Sequence, residues 1–156
     1  MNLKDPNELN MILAQAKEAV ALKNFQKSKE LLENFLTYNQ QNPWVYAFLA
    51  YSLYNLNGKS QENIYLPYLQ KAIDLGANDH ELYNFLGLLI KDLLSLDQAV
   101  NIFAKSITLK PDYYDAYYNL SVTFFLLGEV SKAIELLEFA AKATTNLKYI
   151  EDLAHY

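Results

Sequence analysis

The fold is decided by residues 80–113, HELYNFLGLLIKDLLSLDQAVNIFAKSITLKPDY, whose pattern returns in residues 114–147, YDAYYNLSVTFFLLGEVSKAIELLEFAAKATTNL. Matched positions keep their size and polarity at a spacing of 34 residues: Tyr83 and Tyr117, Leu86 and Leu120, Ile90 and Phe124, Ala99 and Ala133, Phe103 and Leu137. A period between about 20 and 50 residues is typical of proteins built from stacked repeats. The second half of the chain therefore predicts two copies of one repeating element.

The period extends toward the N-terminus once a three-residue insertion is placed in residues 57–61. Four repeats follow, at about residues 9–42, 43–79, 80–113 and 114–147. Each contains two stretches with apolar residues at positions i, i+3, i+4 and i+7, the pattern of an amphipathic helix. A single helix pair cannot bury its apolar face alone, so we expect neighbouring repeats to stack.

Residues 146–156 are predicted to form a capping helix that covers the exposed end of the fourth repeat. The predicted contact face is apolar: Leu147, Ile150 and Leu153. The predicted outer side is charged: Lys148, Glu151 and Asp152. Such a helix protects the last repeat from water, as terminal caps of repeat proteins do.

Capping signals mark the predicted helix boundaries. Two helices are expected to start where a capping side chain precedes proline, at Asp5-Pro6 and Asn42-Pro43. Three glycines lie between predicted helices, where positive φ is needed: Gly58, Gly76 and Gly128. Gly87 lies inside a predicted helix, where glycine costs about 1 kcal/mol relative to alanine. We therefore expect a close helix–helix crossing at Gly87.

Together these features resemble the tetratricopeptide repeat (TPR) family, whose pattern runs aromatic, Leu-Gly, Tyr, Ala, Phe and Pro over 34 residues. The third repeat matches best: Tyr83, Leu86, Gly87, Ile90, Ala99, Phe103, Ser106 and Pro111. The fourth has Thr145 in place of the proline, and the first repeat is the most divergent. The resemblance implies an all-α, right-handed α-solenoid of about four helix-turn-helix repeats with a C-terminal capping helix. The length predicts a single domain over residues 1–156.

Composition limits the classes of partner. The formal net charge of -5 disfavours nucleic acid and acidic membranes. All 13 basic residues are lysines, so arginine, the residue best suited to bidentate phosphate binding, is absent. No apolar stretch approaches the roughly 20 residues that a membrane span needs. We expect no membrane insertion and a cytoplasmic location, or a periplasmic one if a leader had been removed.

A search for catalytic or cofactor chemistry finds no candidate. The four glycines lie far apart, which excludes a glycine-rich phosphate loop, and the lack of cysteine excludes thiolate nucleophiles and thiolate zinc sites. His80 and His155 have no second ligand at a spacing typical of metal sites. We therefore expect no enzyme activity, no cofactor and no metal.

In TPR proteins the first helix of each pair lines a concave groove, so the resemblance implies a partner-binding groove here. The groove residues that it assigns are Trp44, Tyr51, Tyr54, Asn84, Phe85, Leu88, Tyr118, Asn119, Val122 and Phe125. Rigid aromatic side chains are typical anchors of protein interfaces. The expected ligand is a peptide or helix of a partner protein. The alternative is that these aromatics pack between adjacent first helices and leave little surface exposed.

TPR domains that bind acidic chaperone tails hold the terminal carboxylate with Lys, Asn and Arg at set inner positions, and this chain lacks that set. The inner positions of Glu81 and Asp115 suit an apolar or mildly basic segment instead. Two further interpretations stay open. One is a chaperone or assembly factor for a secreted or pilus-type client, and the other is a self-assembling scaffold that forms a homo-oligomer.

Overall fold

The computed structural model describes residues 5–76, 78–144, 146–153 and 155. These residues form helices and no strand: α1 Pro6–Ala21, α2 Phe25–Leu36, α3 Pro43–Asn57, α4 Glu62–Leu75, α5 His80–Leu93, α6 Leu96–Leu109, α7 Tyr114–Leu126, α8 Val130–Ala143 and α9 Leu147–Leu153. The all-α prediction is confirmed. None of the described helices is both long and apolar enough to span a membrane.

The contacts between residues divide the chain into two compact halves, the N-terminal half Met1–Ala77 and the C-terminal half Asn78–Tyr156. Each half contains two helix pairs. Helices α3, α5 and α7 begin at Pro43, His80 and Tyr114, where the second, third and fourth repeats are predicted to begin. The single domain expected from the length stays a prediction.

Side-chain caps start α1 and α3 as predicted. Oδ1 of Asp5 accepts from the backbone N–H of Asn7 at 3.0 Å, and Oδ1 of Asn42 accepts from that of Trp44 at 3.0 Å. Two of the predicted glycine turns have positive φ, 81° at Gly58 and 82° at Gly128. The prediction for the remaining glycine is wrong.

Gly76 has φ −79° and ψ 19°. Its backbone N–H donates to the carbonyl of Ile73 at 3.3 Å, so α4 ends in a tight turn with ordinary negative φ. Any residue adopts that conformation, and the turn does not require glycine.

In the N-terminal half, α2 packs against both α1 and α3, and α3 packs against α4. The buried surface is mostly aliphatic, but Ser28 on α2 and Ser52 on α3 are both fully buried. Oγ of Ser52 donates to Oγ of Ser28 at 3.1 Å. This bond satisfies polar groups that would otherwise be costly to bury.

In the C-terminal half, α5 and α6 pack closely at Gly87. A Cβ atom on Gly87 would lie 2.5 Å from Cε1 of Phe103, a ring that is fully buried. The predicted close crossing is confirmed, because the ring of Phe103 occupies the space that any side chain at Gly87 would need.

Helix α9 packs on the end of the fourth repeat, but with a different face from the one predicted. Tyr149 is 3% exposed and joins Leu137 and Ala140 of α8 in one buried cluster, whereas Ile150 is 49% exposed. The predicted apolar face is therefore wrong at Ile150, and the side chains of Leu147 and Leu153 lie outside the described residues. An aromatic ring buries more apolar area than isoleucine, and a buried tyrosine needs a partner for its hydroxyl, which this face provides.

The predicted outer side of α9 is also wrong in two places. The ammonium of Lys148 lies 4.6 Å from the ring centre of Tyr118 on α7, and Asp152 accepts a hydrogen bond from the hydroxyl of Tyr118. Both side chains thus face α7, because they flank the tyrosine that anchors α9.

Candidate functional site

Trp44, the first predicted groove residue of the N-terminal half, lies in the first turn of α3 and is half-buried. Its indole stacks on the ring of Phe48, with ring centres 5.6 Å apart and planes inclined by 24°. The ammonium of Lys17 on α1 lies 5.1 Å from the centre of the indole. Cations at this distance are attracted to the face of an aromatic ring.

Two more predicted groove residues lie on α3: Tyr51 packs against the second helix of the preceding repeat, and Tyr54 packs against the second helix of its own repeat. The ring of Tyr51 meets that of Phe25 on α2 edge-on at 5.7 Å, and the ring of Tyr54 meets that of Tyr65 on α4 edge-on at 5.6 Å. Both tyrosines remain half-buried. Both partner rings lie on second helices, so these contacts differ from the alternative of packing between adjacent first helices. A binding role for the two tyrosines stays a prediction.

The predicted groove residues of the C-terminal half differ in exposure. Asn84 is 8% exposed, whereas Phe125 near the end of α7 is 40% exposed. The others are half-buried: Phe85, Leu88, Tyr118, Asn119 and Val122. The structure brings three of these seven residues together around one cleft.

That cleft has a volume of about 260 Å³ and lies among α5, α7 and the start of α9. It is lined by Asn84, Asp115, Tyr118, Asn119, Asn146, Lys148 and Tyr149. Asn84, Tyr118 and Asn119 are predicted groove residues, and Asp115 was assigned to an inner position. Sequence reasoning missed Asn146, Lys148 and Tyr149, because it treated α9 only as a cover.

The 34-residue period contains a signal that could have placed α9 at this site. Asp115 and Tyr118 on α7 correspond to Tyr149 and Asp152 on α9 at that spacing. Helix α9 therefore continues the register of a first helix, the helix that carries the groove positions. Extending the repeat alignment beyond residue 147 would have assigned it to the site.

Two side-chain amides form one wall of the cleft. Nδ2 of Asn119 donates to Oδ1 of Asn84 at 2.9 Å, and Oγ1 of Thr123 donates to the backbone carbonyl of Asn119 at 2.8 Å. The bond between the two side chains fixes the orientation of both amides, which favours selective hydrogen bonding to a ligand.

Two tyrosines and the carboxylate of Asp115 form another wall of the cleft, and Asp152 lies behind it. The rings of Tyr118 and Tyr149 are stacked, with centres 4.8 Å apart and planes inclined by 15°. The hydroxyl of Tyr118 donates to Asp152 Oδ2 at 2.7 Å, and the hydroxyl of Tyr149 donates to Asp115 Oδ1. Burial, followed by the hydrogen bond to the carboxylate, raises the pKa of both tyrosines.

Lys148 completes this wall and is held against Tyr118. A side-chain hydrogen bond with Tyr118 is the main reason that the pKa of Lys148 is raised, and Asp152 and Asp115 act in the same direction. The cation is thus oriented by its neighbours. No group of three or more metal-ligating side chains occurs among the described residues.

A second cleft, of about 350 Å³, is also in the C-terminal half. It is lined by Asp97, Val100, Asn101, Phe124, Leu127, Glu129 and Lys132, none of which was predicted as a groove residue. Lys132 pairs with Glu129 at 3.3 Å and lies 5.4 Å from the ring centre of Phe124. The cleft among α5, α7 and α9 is the better candidate site, because three predicted groove residues line it and none lines the second cleft.

Paired helices, a 34-residue period and a small residue at the helix crossing define an α-helical repeat protein. No protein-family model matches the chain. The 131 kDa subunit of transcription factor tau from Saccharomyces cerevisiae is 27% identical over 131 residues. The match covers 84% of this chain but only 12% of that subunit.

Two solved structures identify the kind of repeat. YrrB, a TPR protein with an unusual peptide-binding site, is 25% identical, and the alignment covers 97% of this chain and 77% of YrrB with a TM-score of 0.73. TTC0263, a TPR protein of Thermus thermophilus, is 16% identical, with 97% and 82% covered and a TM-score of 0.82. The predicted resemblance is confirmed, and the fold of this chain is the TPR fold.

Proposed function

We propose that this chain is a non-catalytic interaction module that binds a peptide or helix of a partner protein on the first-helix surface of its repeats. One observation carries the proposal. The cleft among α5, α7 and α9 is lined by Asn84, Tyr118 and Asn119, residues for which the resemblance to TPR proteins implies a place in the partner-binding groove. It combines aromatic rings with oriented amides and charges, the mixture by which binding sites fix the position of a ligand.

Two further facts support a protein partner. YrrB, which shares the fold, has a peptide-binding site. The net charge of -5 and the absence of arginine disfavour a polyanion such as DNA or RNA, whose binding depends on neutralising phosphates.

The proposal can be tested by photo-crosslinking at matched positions. A benzoylphenylalanine is placed at Phe125 on the first helix α7 or at Phe139 on the second helix α8, which are 40% and 48% exposed. The modified chains are irradiated in an extract of the source cells, and the adducts are identified by mass spectrometry. We expect a protein adduct at Phe125 that is weak or absent at Phe139.

Equal labelling at both positions, or an adduct formed only at Phe139, would contradict binding on the first-helix surface. An adduct that nuclease removes would show that the partner is a nucleic acid. A second copy of this chain as the crosslinked protein would identify the interaction as self-assembly rather than partner binding.

A further inference from the structure

We infer that the cleft among α5, α7 and α9 receives a lysine or arginine side chain of the bound segment, with the carboxylate of Asp115 as its counter-ion and the side-chain carbonyl of Asn119 as a second acceptor. The inference rests on the proposed function and specifies the chemistry of its ligand. It assigns Asp115, rather than the groove aromatics, as the residue that selects the partner.

The charge of the chain is the first argument. Residues 78–156 contain 11 carboxylate side chains and six lysines, whereas residues 1–77 contain seven of each. The whole formal net charge of -5 is therefore carried by the half that contains the cleft. A charged surface attracts partners of opposite charge and repels those of like charge, so this half favours a basic segment.

The hydrogen-bond acceptors of the cleft are the second argument. Asp115 is exposed, and one of its oxygens accepts from the buried hydroxyl of Tyr149. It forms no ion pair with any lysine of the described residues. The amide nitrogen of Asn119 is engaged by Asn84, so its side-chain carbonyl oxygen is left to accept from a ligand. A lysine or arginine offers several donors and no acceptor, which matches this pair.

One lysine, Lys148, lines the cleft. Its ammonium lies 4.6 Å from the ring centre of Tyr118 and interacts electrostatically with Asp152 and Asp115, but it forms no ion pair with either. Around the neighbouring hydroxyl of Tyr113, carboxylates predominate: Asp115, Glu81 and Asp79 all act to raise its pKa, after burial as the largest cause. Carboxylates therefore outnumber lysines around this end of the cleft, which favours a basic ligand.

A phage-displayed library of random peptides, selected on the full chain, tests the inference. We expect the selected peptides to share a lysine or arginine at one fixed position. A synthetic peptide with that lysine should bind about tenfold or more tightly than its norleucine analogue, since the analogue keeps the aliphatic stem and removes only the charge. In Asp115→Asn the two peptides should bind with similar affinity.

Two variants separate charge pairing from an indirect effect on α9. Glu81 lies on α5, so Glu81→Gln changes the electrostatic potential near the cleft without altering a residue of α9. It should reduce the preference for lysine, as Asp115→Asn does. Glu135→Gln on α8 removes the same charge from an exposed position outside the cleft and should leave the preference unchanged.

Peptides that crosslink at Phe125 but share no basic residue would overturn the inference and leave the proposed function standing. An equal loss of affinity for the lysine and norleucine peptides in Asp115→Asn would also overturn it, because Asp115 would then act through α9. If no peptide is selected, the proposed function fails and the inference with it.

Discussion

Tyr118 on α7 and Tyr149 on α9 are stacked at 4.8 Å, and each donates its hydroxyl to a carboxylate on the helix of the other. Each acceptor, Asp152 or Asp115, lies 34 residues from the tyrosine that donates to it. The contact between α7 and α9 is thus built from a pair of reciprocal charge-assisted hydrogen bonds around an aromatic stack. Such bonds are about twice as strong as neutral ones.

The first prediction concerns Tyr149→Phe. The substitution keeps the ring and its stack but removes the hydroxyl that donates to Asp115. We expect the free energy of unfolding to fall by about 1.5 to 3 kcal/mol, the usual range for a hydrogen bond to a charged group. Urea unfolding followed by circular dichroism measures it.

Tyr117→Phe is a matched control in the same half, because its hydroxyl donates to a neutral backbone carbonyl, that of Pro111, at 3.0 Å. It should cost about 0.5 to 1.5 kcal/mol. A larger loss for the control than for Tyr149→Phe would contradict the importance of the carboxylate at Asp115.

The second prediction concerns Gly87→Ala. Alanine favours a helix by about 1 kcal/mol relative to glycine. Its Cβ would lie 2.5 Å from a ring carbon of Phe103, however, and overpacking a core costs about 1 to 3 kcal/mol. Three atoms of this fully buried ring lie within 2.8 Å of the added Cβ, so we expect the clash to exceed the helix preference and stability to fall in urea unfolding.

The clash can be separated from other effects with Phe103→Leu. In that background the smaller side chain makes room, so Gly87→Ala should cost less than in the natural chain or should stabilise it. An equal cost in both backgrounds would show that Phe103 is not the reason for glycine at this position.

The third prediction concerns the buried hydroxyl pair of the N-terminal half. Ser28→Ala and Ser52→Ala each remove one partner of the 3.1 Å bond and leave the other group buried. An unsatisfied buried polar group costs about 1 to 3 kcal/mol. The double variant leaves neither group, so its loss should be clearly smaller than the sum of the two single losses. Strictly additive losses in a double-mutant cycle would contradict the pairing.

The fourth prediction concerns alkaline pH. The pKa of Tyr149 is raised by burial, with a further contribution from Asp115, above its ordinary value of 10. Below about pH 10 the hydroxyl is protonated in both the folded and the unfolded chain, so its contribution to stability is constant. Above that pH the unfolded chain loses the proton first, and stability should fall.

Unfolding by urea at neutral pH and above about pH 10 measures this effect. Tyr149→Phe should lose stability less steeply than the natural chain over the alkaline range. The residual slope includes other groups whose pKa is raised in the folded chain: Lys148, Tyr46, Tyr65, Tyr113, Tyr117 and Tyr118. Identical slopes would show that Tyr149 ionises normally in the folded chain.

The repeat fold could be predicted from the sequence because repetition multiplies weak signals. A small residue at Gly87 alone is ambiguous, but at a fixed offset from Ala99 and Phe103, in a pattern that recurs 34 residues later, it specifies a helix pair. Capping at Asp5 and Asn42 is equally local, since it depends on side chains that reach their own backbone. Neither feature requires knowledge of distant contacts.

The face of α9 could not be predicted by the same reasoning. Hydrophobic periodicity predicts that Ile150 is buried. The structure instead buries Tyr149, whose ring stacks on Tyr118 and whose hydroxyl donates to Asp115. These are partners from another helix, which a pattern within seven residues does not contain. The same limit applies to Tyr54, whose edge-on contact with Tyr65 depends on how α3 crosses α4.

Trp44, packed between Phe48 and Lys17, is an intrinsic fluorescent probe of the N-terminal half. Trp44 is the only tryptophan in the sequence, and it lies in the N-terminal half beside a cation that affects its emission. Indole fluorescence therefore follows the melting of α1 and α3, whereas circular dichroism follows every helix. Coincident transitions would show that the halves unfold together, and separated ones would give each half its own midpoint without any added label.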